Sequence, residues 1–169
     1  IISRDLMLAE STKCQLHVAH LSTAKSVEMI RKAKKDGILV TSEVTPHHLI
    51  FNEDKLETFD TNFKCKPPIR SEKDRLALIE GLIDGTIDVI ATDHAPHADF
   101  EKEKEFDFAP FGVIGFETSF AGLYTHLVKN NIISLELLIE KLAVKPAQWL
   151  KLNSGLIEAG KLADLVLVD

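Results

Sequence analysis

Short apolar segments that alternate with longer amphipathic ones constrain this chain most. The first two apolar segments are each followed by a stretch with helical spacing of apolar residues, and a third lies near the middle of the chain. Almost wholly apolar strands separated by helices are typical of a parallel sheet that helices cover. The sequence therefore predicts an α/β fold, with strands in "CQLHVAHLS", "ILVTSEV" and "TIDVIATD".

Capping residues and glycines mark the expected helix ends. Ser22 or Thr23 would cap the helix in "TAKSVEMIRKAKKDG", and Ser71 with Asp74 has capping-box spacing in "SEKDRLALIEGLIDG". Both patterns close on a glycine. Further helices are predicted in "IISRDLMLAESTK", "ETSFAGLYTHLVKN", "SLELLIEKL" and "PAQWLKL", and a late strand in "KLADLVLVD".

Charge and composition exclude several classes of function. The net charge of −6 leaves little basic surface for phosphates, so we expect no nucleic-acid partner. No apolar run approaches the roughly 20 residues that span a bilayer, and no signal peptide opens the chain, which indicates a cytoplasmic protein without membrane contact. Cys14 and Cys65 are far apart, which favours reduced thiols over a disulfide.

Polar residues collect where the predicted strands end. His20, the "TPHH" at 45–48 and Asp93 with His94 all follow apolar runs. In (β/α)8 barrels and in open parallel sheets, that edge carries the chemistry. No G-x-G-x-x-G or P-loop follows any strand, so neither dinucleotide nor nucleotide binding is indicated.

His20 and Asp93 are the best candidates for a metal site. Side chains alternate along a strand, so we expect His17 and His20 to point to opposite faces, with His20 at the strand end as the ligand. Asp93 ends a row of small apolar residues, where a carboxylate needs a partner or a metal. Asp93 could instead cap the next turn, but His94 and His97 favour metal and acid–base chemistry.

Two neighbouring motifs leave alternatives open. "EVTPHHL" is either loop architecture or a support for the active edge through Glu43 or a histidine. "KCKPPIR" supplies Lys64, Lys66 and Arg70, which form either a solvated loop or an anion contact for a substrate carboxylate.

The connection at 95–114 is long enough to suggest a lid or binding loop. Its "EKEKEFD" part is predicted to be solvated charge. In "APFGVIG", Gly112 and Gly115 allow the backbone to approach a ligand closely.

Six motifs occur in this order along the chain: "HVAHLSTAKSV", "SEVTPHHL", "KPPIR", "DGTIDVIATDHAPH", "APFGVIGFET" and "GKLADLVLVD". With these motifs, the chain resembles the C-terminal part of the bacterial dihydroorotases, in the class I group of the amidohydrolase superfamily, over nearly all of its length. The resemblance implies the C-terminal part of a metal-dependent (β/α)8 TIM-type barrel. It also implies an enzyme that reversibly cyclises N-carbamoyl-L-aspartate to dihydroorotate in pyrimidine synthesis.

The resemblance also implies residue roles. His20 and Asp93 match metal ligands, with Asp93 as general base, and one or two Zn²⁺ ions are expected. His97 and the backbone of Phe111 and Gly112 match substrate-binding positions. Lys66 stands where the family usually has a substrate-contacting Asn, which departs from the pattern and opens a change in substrate or activity.

The family's first-strand His-x-His, its bridging ligand and its fifth-strand histidine are not in this sequence. A full barrel takes about 250 residues, so we expect residues 1–155 to be about its last three βα units with the helices that follow, and the fragment alone to be inactive. Residues 156–169 are expected to start the C-terminal return to a small β subdomain. The whole protein is expected to be a homodimer, with aspartate transcarbamoylase as a further candidate partner. The alternatives are an allantoinase or hydantoinase-like enzyme and a non-catalytic scaffold for aspartate transcarbamoylase.

Overall fold

The computed structural model describes residues 1–168, which form helices around a small parallel sheet. The elements in chain order are α1 (Ile2–Thr12), β1 (Leu16–Val18), α2 (Ala24–Lys35), β2 (Val40–Val44), α3 (Pro46–Ile50), α4 (Glu72–Ile83), β3 (Val89–Ile90), α5 (Asp99–Lys102), α6 (Ser119–Leu123), α7 (Leu135–Ile139) and α8 (Lys145–Trp149). Short 3₁₀ turns at Glu53–Leu56 and Thr61–Phe63 lie in the connection between α3 and α4. Helices α6 and α7 each continue into a π-helical turn, at Tyr124–Val128 and Glu140–Val144.

The three strands are parallel and lie in the order β1-β2-β3. His17 pairs with Thr41 in the first ladder, and Glu43 pairs with Val89 in the second. Helices α2, α3 and α4 make the crossovers that parallel neighbours require. The predicted parallel α/β arrangement is therefore confirmed, and all three strand ends meet at one edge.

The predicted helix caps are confirmed, with one choice resolved. Thr23, rather than Ser22, accepts from the backbone N–H of Ser26 at the start of α2. Ser71 accepts from the N–H of Asp74 at the start of α4. Gly37 and Gly85 follow the two helices with φ of 79° and 81°, a conformation that glycine adopts at little cost.

The main core lies between one face of the sheet and helices α2 and α4. Val40, Ser42 and Val44 of β2 are buried on this face. The residues between them, Thr41 and Glu43, point to the opposite face and are only half-buried. The helical side chains that complete this core include Val27, Ile30, Leu78 and Leu82.

The C-terminal part contains one confirmed and one wrong prediction. Pro146 lies in the first turn of α8, as predicted, and α8 directly follows the π-helical turn at Glu140–Val144. The predicted strand "KLADLVLVD" is wrong over 161–168, where the chain has no regular secondary structure, and Asp169 lies outside the described residues. A strand needs a neighbour to pair with, and none of the described residues provides one; Leu165 and Leu167 are exposed. No helix in residues 1–168 has the length and apolarity to cross a membrane.

Candidate functional site

His20 and Asp93 come together at the edge where β1 and β3 end. The Nε2 atom of His20 lies 3.4 Å from Oδ1 of Asp93. Both residues have left-handed backbone conformations, with φ of 53° and 49°. Such conformations are uncommon outside glycine, and strained positions concentrate at functional sites. The structure thus brings the two predicted metal ligands together.

Glu43 joins this pair from β2. Its Oε1 lies 2.7 Å from Nδ1 of His20, and its Oε2 lies 3.1 Å from Nε2 of His17. The Nδ1 atom of His20 is buried, and Glu43 is the carboxylate within ion-pair distance of it. The second nitrogen of His17 contacts the hydroxyl of Thr41 at 2.8 Å. Sequence reasoning named Glu43 only as one of several possible supports.

The prediction that His17 and His20 point to opposite faces is wrong, because both contact Glu43. The alternation of side chains holds only while the chain stays extended. β1 ends at Val18, and the left-handed turn at His20 returns that side chain to the face of His17. The ring of His17 also stacks on Trp149 of α8, with ring centres 4.2 Å apart.

The electrostatics of this group favour a cation. Burial raises the pKa of the Glu43 carboxyl, but His17 and His20 outweigh burial and lower that pKa to about 2. The contact with Glu43 raises the pKa of His20, burial opposes this, and the charge of Asp93 adds to it. Two carboxylates therefore surround one imidazole, which is an arrangement of nitrogen and oxygen donors that suits Zn²⁺.

A zinc site needs more ligands than His20 and Asp93 supply. Protein zinc sites use three or four protein ligands. Within residues 1–168, a single group of three histidine, cysteine or carboxylate side chains has its ligand atoms within 4.8 Å of one another, and it consists of His47, His48 and Cys65.

The geometry of that trio indicates a structural role. Nε2 of His48 lies 3.0 Å from the carbonyl of Pro67, so it donates, and Nδ1 therefore accepts from the hydroxyl of Thr45 at 2.6 Å. No lone pair of the His48 ring is left for a metal. Burial raises the pKa of the Cys65 thiol to about 11, and Sγ donates to Pro67. The "TPHH" motif is not a loop: Thr45 caps the buried helix α3, which begins at Pro46.

A second group contains the predicted substrate contacts. Nε2 of His97 lies 3.0 Å from the carbonyl oxygen of Phe111. Gly112 packs so closely that a Cβ there would lie 2.4 Å from the carbonyl oxygen of Ala95. Nδ1 of His94 accepts from the backbone N–H groups of Gly115 at 3.0 Å and Phe116 at 3.2 Å. The segment after Asp93 and the "APFGVIG" segment therefore form one unit.

The lysines differ from expectation. Lys66 is exposed and makes no hydrogen bond or ion pair with any residue in 1–168. Lys64, expected in either a solvated loop or an anion contact, is instead buried, and its ammonium donates to three backbone carbonyls. Lys102 lies in the predicted solvated segment "EKEKEFD" but donates to the carbonyls of Pro110 and Gly112. No sequence pattern distinguishes Lys102 from its exposed neighbour Lys104.

Curated relatives share about half of the residues. The chain is 53% identical over 168 residues to a dihydroorotase of Geobacillus thermodenitrificans, covering 99% of this chain and 39% of the relative. It is 52% identical over 168 residues to the dihydroorotase of Bacillus subtilis, with the same coverage. The chain therefore spans about two fifths of the length of these relatives.

Solved structures of related enzymes have the same fold. An L-hydantoinase (dihydropyrimidinase) from Arthrobacter aurescens superimposes with a TM-score of 0.90 at 34% identity, over 96% of this chain and 37% of that one. A dihydropyrimidinase from Brevibacillus agri gives a TM-score of 0.89 at 25% identity, with the same coverage. Residues 3–169 match the sequence profile of the Amidohydrolase family. The chain belongs to the amidohydrolase family.

Proposed function

We propose that this chain is the C-terminal barrel portion of a zinc-dependent dihydroorotase, which interconverts N-carbamoyl-L-aspartate and dihydroorotate in pyrimidine synthesis. The contact of His20 with Asp93 across two strand ends carries the proposal. The identity of 53% to a dihydroorotase supports this choice of reaction. The three parallel strands would be consecutive strands of a (β/α)8 barrel, whose active site lies at that edge.

His20 and Asp93 would hold one or two zinc ions, together with ligands from outside residues 1–169. Bound there, zinc would polarise the cyclic amide carbonyl and lower the pKa of an attacking water. Asp93 would accept a proton from that water and deliver it to the ring nitrogen as the C–N bond breaks. Glu43 would orient the imidazole of His20, which binds zinc in its neutral form. Because two ligands do not complete a site, residues 1–169 alone would be inactive.

The substrate would lie between this pair and the second group. His97 and the backbone of Phe111 and Gly112 would contact it, and exposed Lys66 would reach its carboxylate from solvent. We further propose that residues 156–169 lead into a small β subdomain whose strands would lie outside residues 1–169. We also propose that the whole protein is a cytoplasmic homodimer with aspartate transcarbamoylase as a candidate partner.

A hydantoinase-like cyclic amidohydrolase is the second candidate. The TM-score of 0.90 to an L-hydantoinase favours it, because these enzymes share the sheet and helices described here. Lys66 in place of the family's usual Asn is compatible with a different ring substrate. An allantoinase, or a non-catalytic scaffold for aspartate transcarbamoylase, would carry the same fold.

Activity of the complete polypeptide that carries this chain tests these candidates. The zinc-loaded protein is assayed with dihydroorotate, hydantoin and allantoin, and the chelated protein serves as the control. We expect zinc-dependent hydrolysis of dihydroorotate, with a kcat/KM at least about 100-fold above that for the other rings. Preference for hydantoin or allantoin would select the second candidate, and inactivity on all three would favour the scaffold.

A further inference from the structure

Lys64 is a buried lysine whose ammonium is held by backbone alone. Its residue is 7% exposed. Nζ donates to the carbonyl oxygens of Phe106 at 2.5 Å, Asp107 at 3.1 Å and Ala109 at 2.7 Å. No carboxylate among residues 1–168 lies within ion-pair distance of it. Because a buried charge is costly without compensation, these carbonyls must be fixed in place to stabilise it.

Lys102 extends the same arrangement along the chain. Its Nζ donates to the carbonyl oxygens of Pro110 at 3.2 Å and Gly112 at 3.0 Å. Burial, followed by the positive charge of Lys64, lowers the pKa of Lys102. Five of the seven carbonyls in residues 106–112 therefore accept from two ammonium groups. We call these seven residues the clasped segment.

Backbone and ring contacts hold the clasped segment to Lys64 as well. The N–H of Gly112 donates to the carbonyl oxygen of Lys64 at 2.9 Å. The ammonium of Lys64 also lies 4.6 Å from the centre of the Phe111 ring, within the range of a cation–π contact. Lys64 thus restrains Gly112 through a backbone hydrogen bond and Phe111 through a cation–π contact.

Lys102 also sets the direction of the Phe111 amide. In a trans peptide, C=O and N–H point in opposite directions. Since the carbonyl of Pro110 points to Lys102, the N–H of Phe111 points away from it. No hydrogen-bond acceptor for that N–H is found within residues 1–168. This donor can therefore meet a carbonyl or carboxylate oxygen of a ligand.

We propose that Lys64 and Lys102 are positioning residues, which order the clasped segment and present the Phe111–Gly112 backbone to the cyclic-amide substrate. The substrate part of this inference rests on the proposed function. The ordering of the segment does not, so the two can be tested separately. Backbone oxygens accept from Lys64 at three positions and from Lys102 at two, so all three donors of Lys64 and two of the three donors of Lys102 are already used.

Hydrogen exchange in the complete polypeptide tests the ordering. Lys64→Met and Lys102→Met remove one ammonium each, and Lys104→Met is the matched control because Lys104 is exposed in the same region. The amides of Phe108 and Ala109 bond to the carbonyl of Glu105, and that of Gly112 bonds to Lys64, so all three have protection to lose. We expect exchange at these amides to rise at least about tenfold in Lys64→Met, with α2 and α4 unaffected.

Steady-state kinetics of the same variants test the positioning. In Lys64→Met we expect the KM for dihydroorotate to rise at least about tenfold, while kcat stays within about threefold and bound zinc is unchanged. A merely structural role would lower the active fraction, and hence kcat, without this rise in KM. Lys102→Met should change KM in the same direction, and it carries the test if Lys64→Met does not fold.

The possible results separate the two proposals. Exchange in both variants equal to that of Lys104→Met would overturn the ordering, whichever substrate the enzyme uses. Faster exchange with an unchanged KM would overturn the positioning role. A wild-type protein without dihydroorotate activity would overturn the proposed function, while the exchange measurement would still decide whether Lys64 orders the segment.

Discussion

The two faces of strand β2 differ in their surroundings: one packs in the core and the other contributes to the polar group. Val40, Ser42 and Val44 are buried under α2 and α4, whereas Glu43, one position away, lies in the polar group with His17 and His20. Side chains of a strand alternate between faces, so a single register assigns both sets. The core residues of β2 and the residue of the polar group are therefore neighbours in sequence but lie on opposite faces of the sheet. Substitutions on the two faces should therefore have separable effects.

Asp93→Asn should have the largest effect on chemistry. Asparagine adopts the left-handed conformation seen at Asp93, so the fold should be kept. The amide cannot accept the proton from water, and it is a weaker metal ligand. We expect kcat for dihydroorotate to fall at least about 1,000-fold in the complete enzyme, measured by the change in absorbance on ring opening.

The thermal unfolding curve of Asp93→Asn is the control for that prediction. It should match the wild-type curve within a few degrees, because Asp93 does not contact the helix-covered face. Activity retained in this variant would exclude Asp93 as the general base.

Leu82→Ala should have the largest effect on stability. Leu82 is 0% exposed, in the core between α4 and the sheet. Truncation of such a leucine costs about 2–5 kcal/mol of unfolding free energy. We expect that loss in denaturant unfolding, with kcat of the folded fraction within about twofold of wild type. A large fall in kcat at full folding would show that the two faces are coupled.

Glu43→Gln should weaken zinc binding, because Glu43 contacts the proposed zinc ligand His20. Glutamine keeps the shape of Glu43 but removes the charge that contacts His17 and His20. Residues that orient a metal ligand are typically worth about 10- to 100-fold in metal affinity. We expect zinc affinity to fall by this factor in a chelator competition.

Thr41→Val is the matched control, since Thr41 lies on the same face and contacts His17 but not His20. It should leave zinc affinity within about threefold of wild type. Equal loss in both variants would mean that the face as a whole, rather than the Glu43 carboxylate, supports the ligand.

The sequence predicted the parts of this molecule that depend on local rules. The caps at Thr23 and Ser71, the apolar strands and the pairing of His20 with Asp93 follow from spacing and from the geometry of parallel sheets. The direction of His17 depends on where β1 ends, which the spacing did not show. The role of Lys102 depends on a fold of the chain back onto itself, and no local pattern records such a contact.

The smallest expected effect concerns His47, which lies in α3 directly after the end of β2. Burial, with His48 and His20 nearby, lowers the pKa of His47 to about 3. Unfolded chains bind this proton near pH 6.5, so between pH 6.5 and about 3 the unfolded state binds more protons than the folded state. The free energy of unfolding should therefore decrease as the pH is lowered through this window, by about 1 kcal/mol over the first pH unit below 6.5.

His47→Phe should remove this part of the acid dependence, because phenylalanine fills similar space and does not titrate. The measurement is denaturant unfolding of the zinc-free complete protein at pH 7.0 and pH 5.5, where zinc binding adds no pH dependence. His48 remains and its pKa is also lowered by burial, so the slope should shrink rather than vanish. An unchanged slope would show that His47 binds its proton equally well in the folded and unfolded states, so that burial in α3 does not lower its pKa.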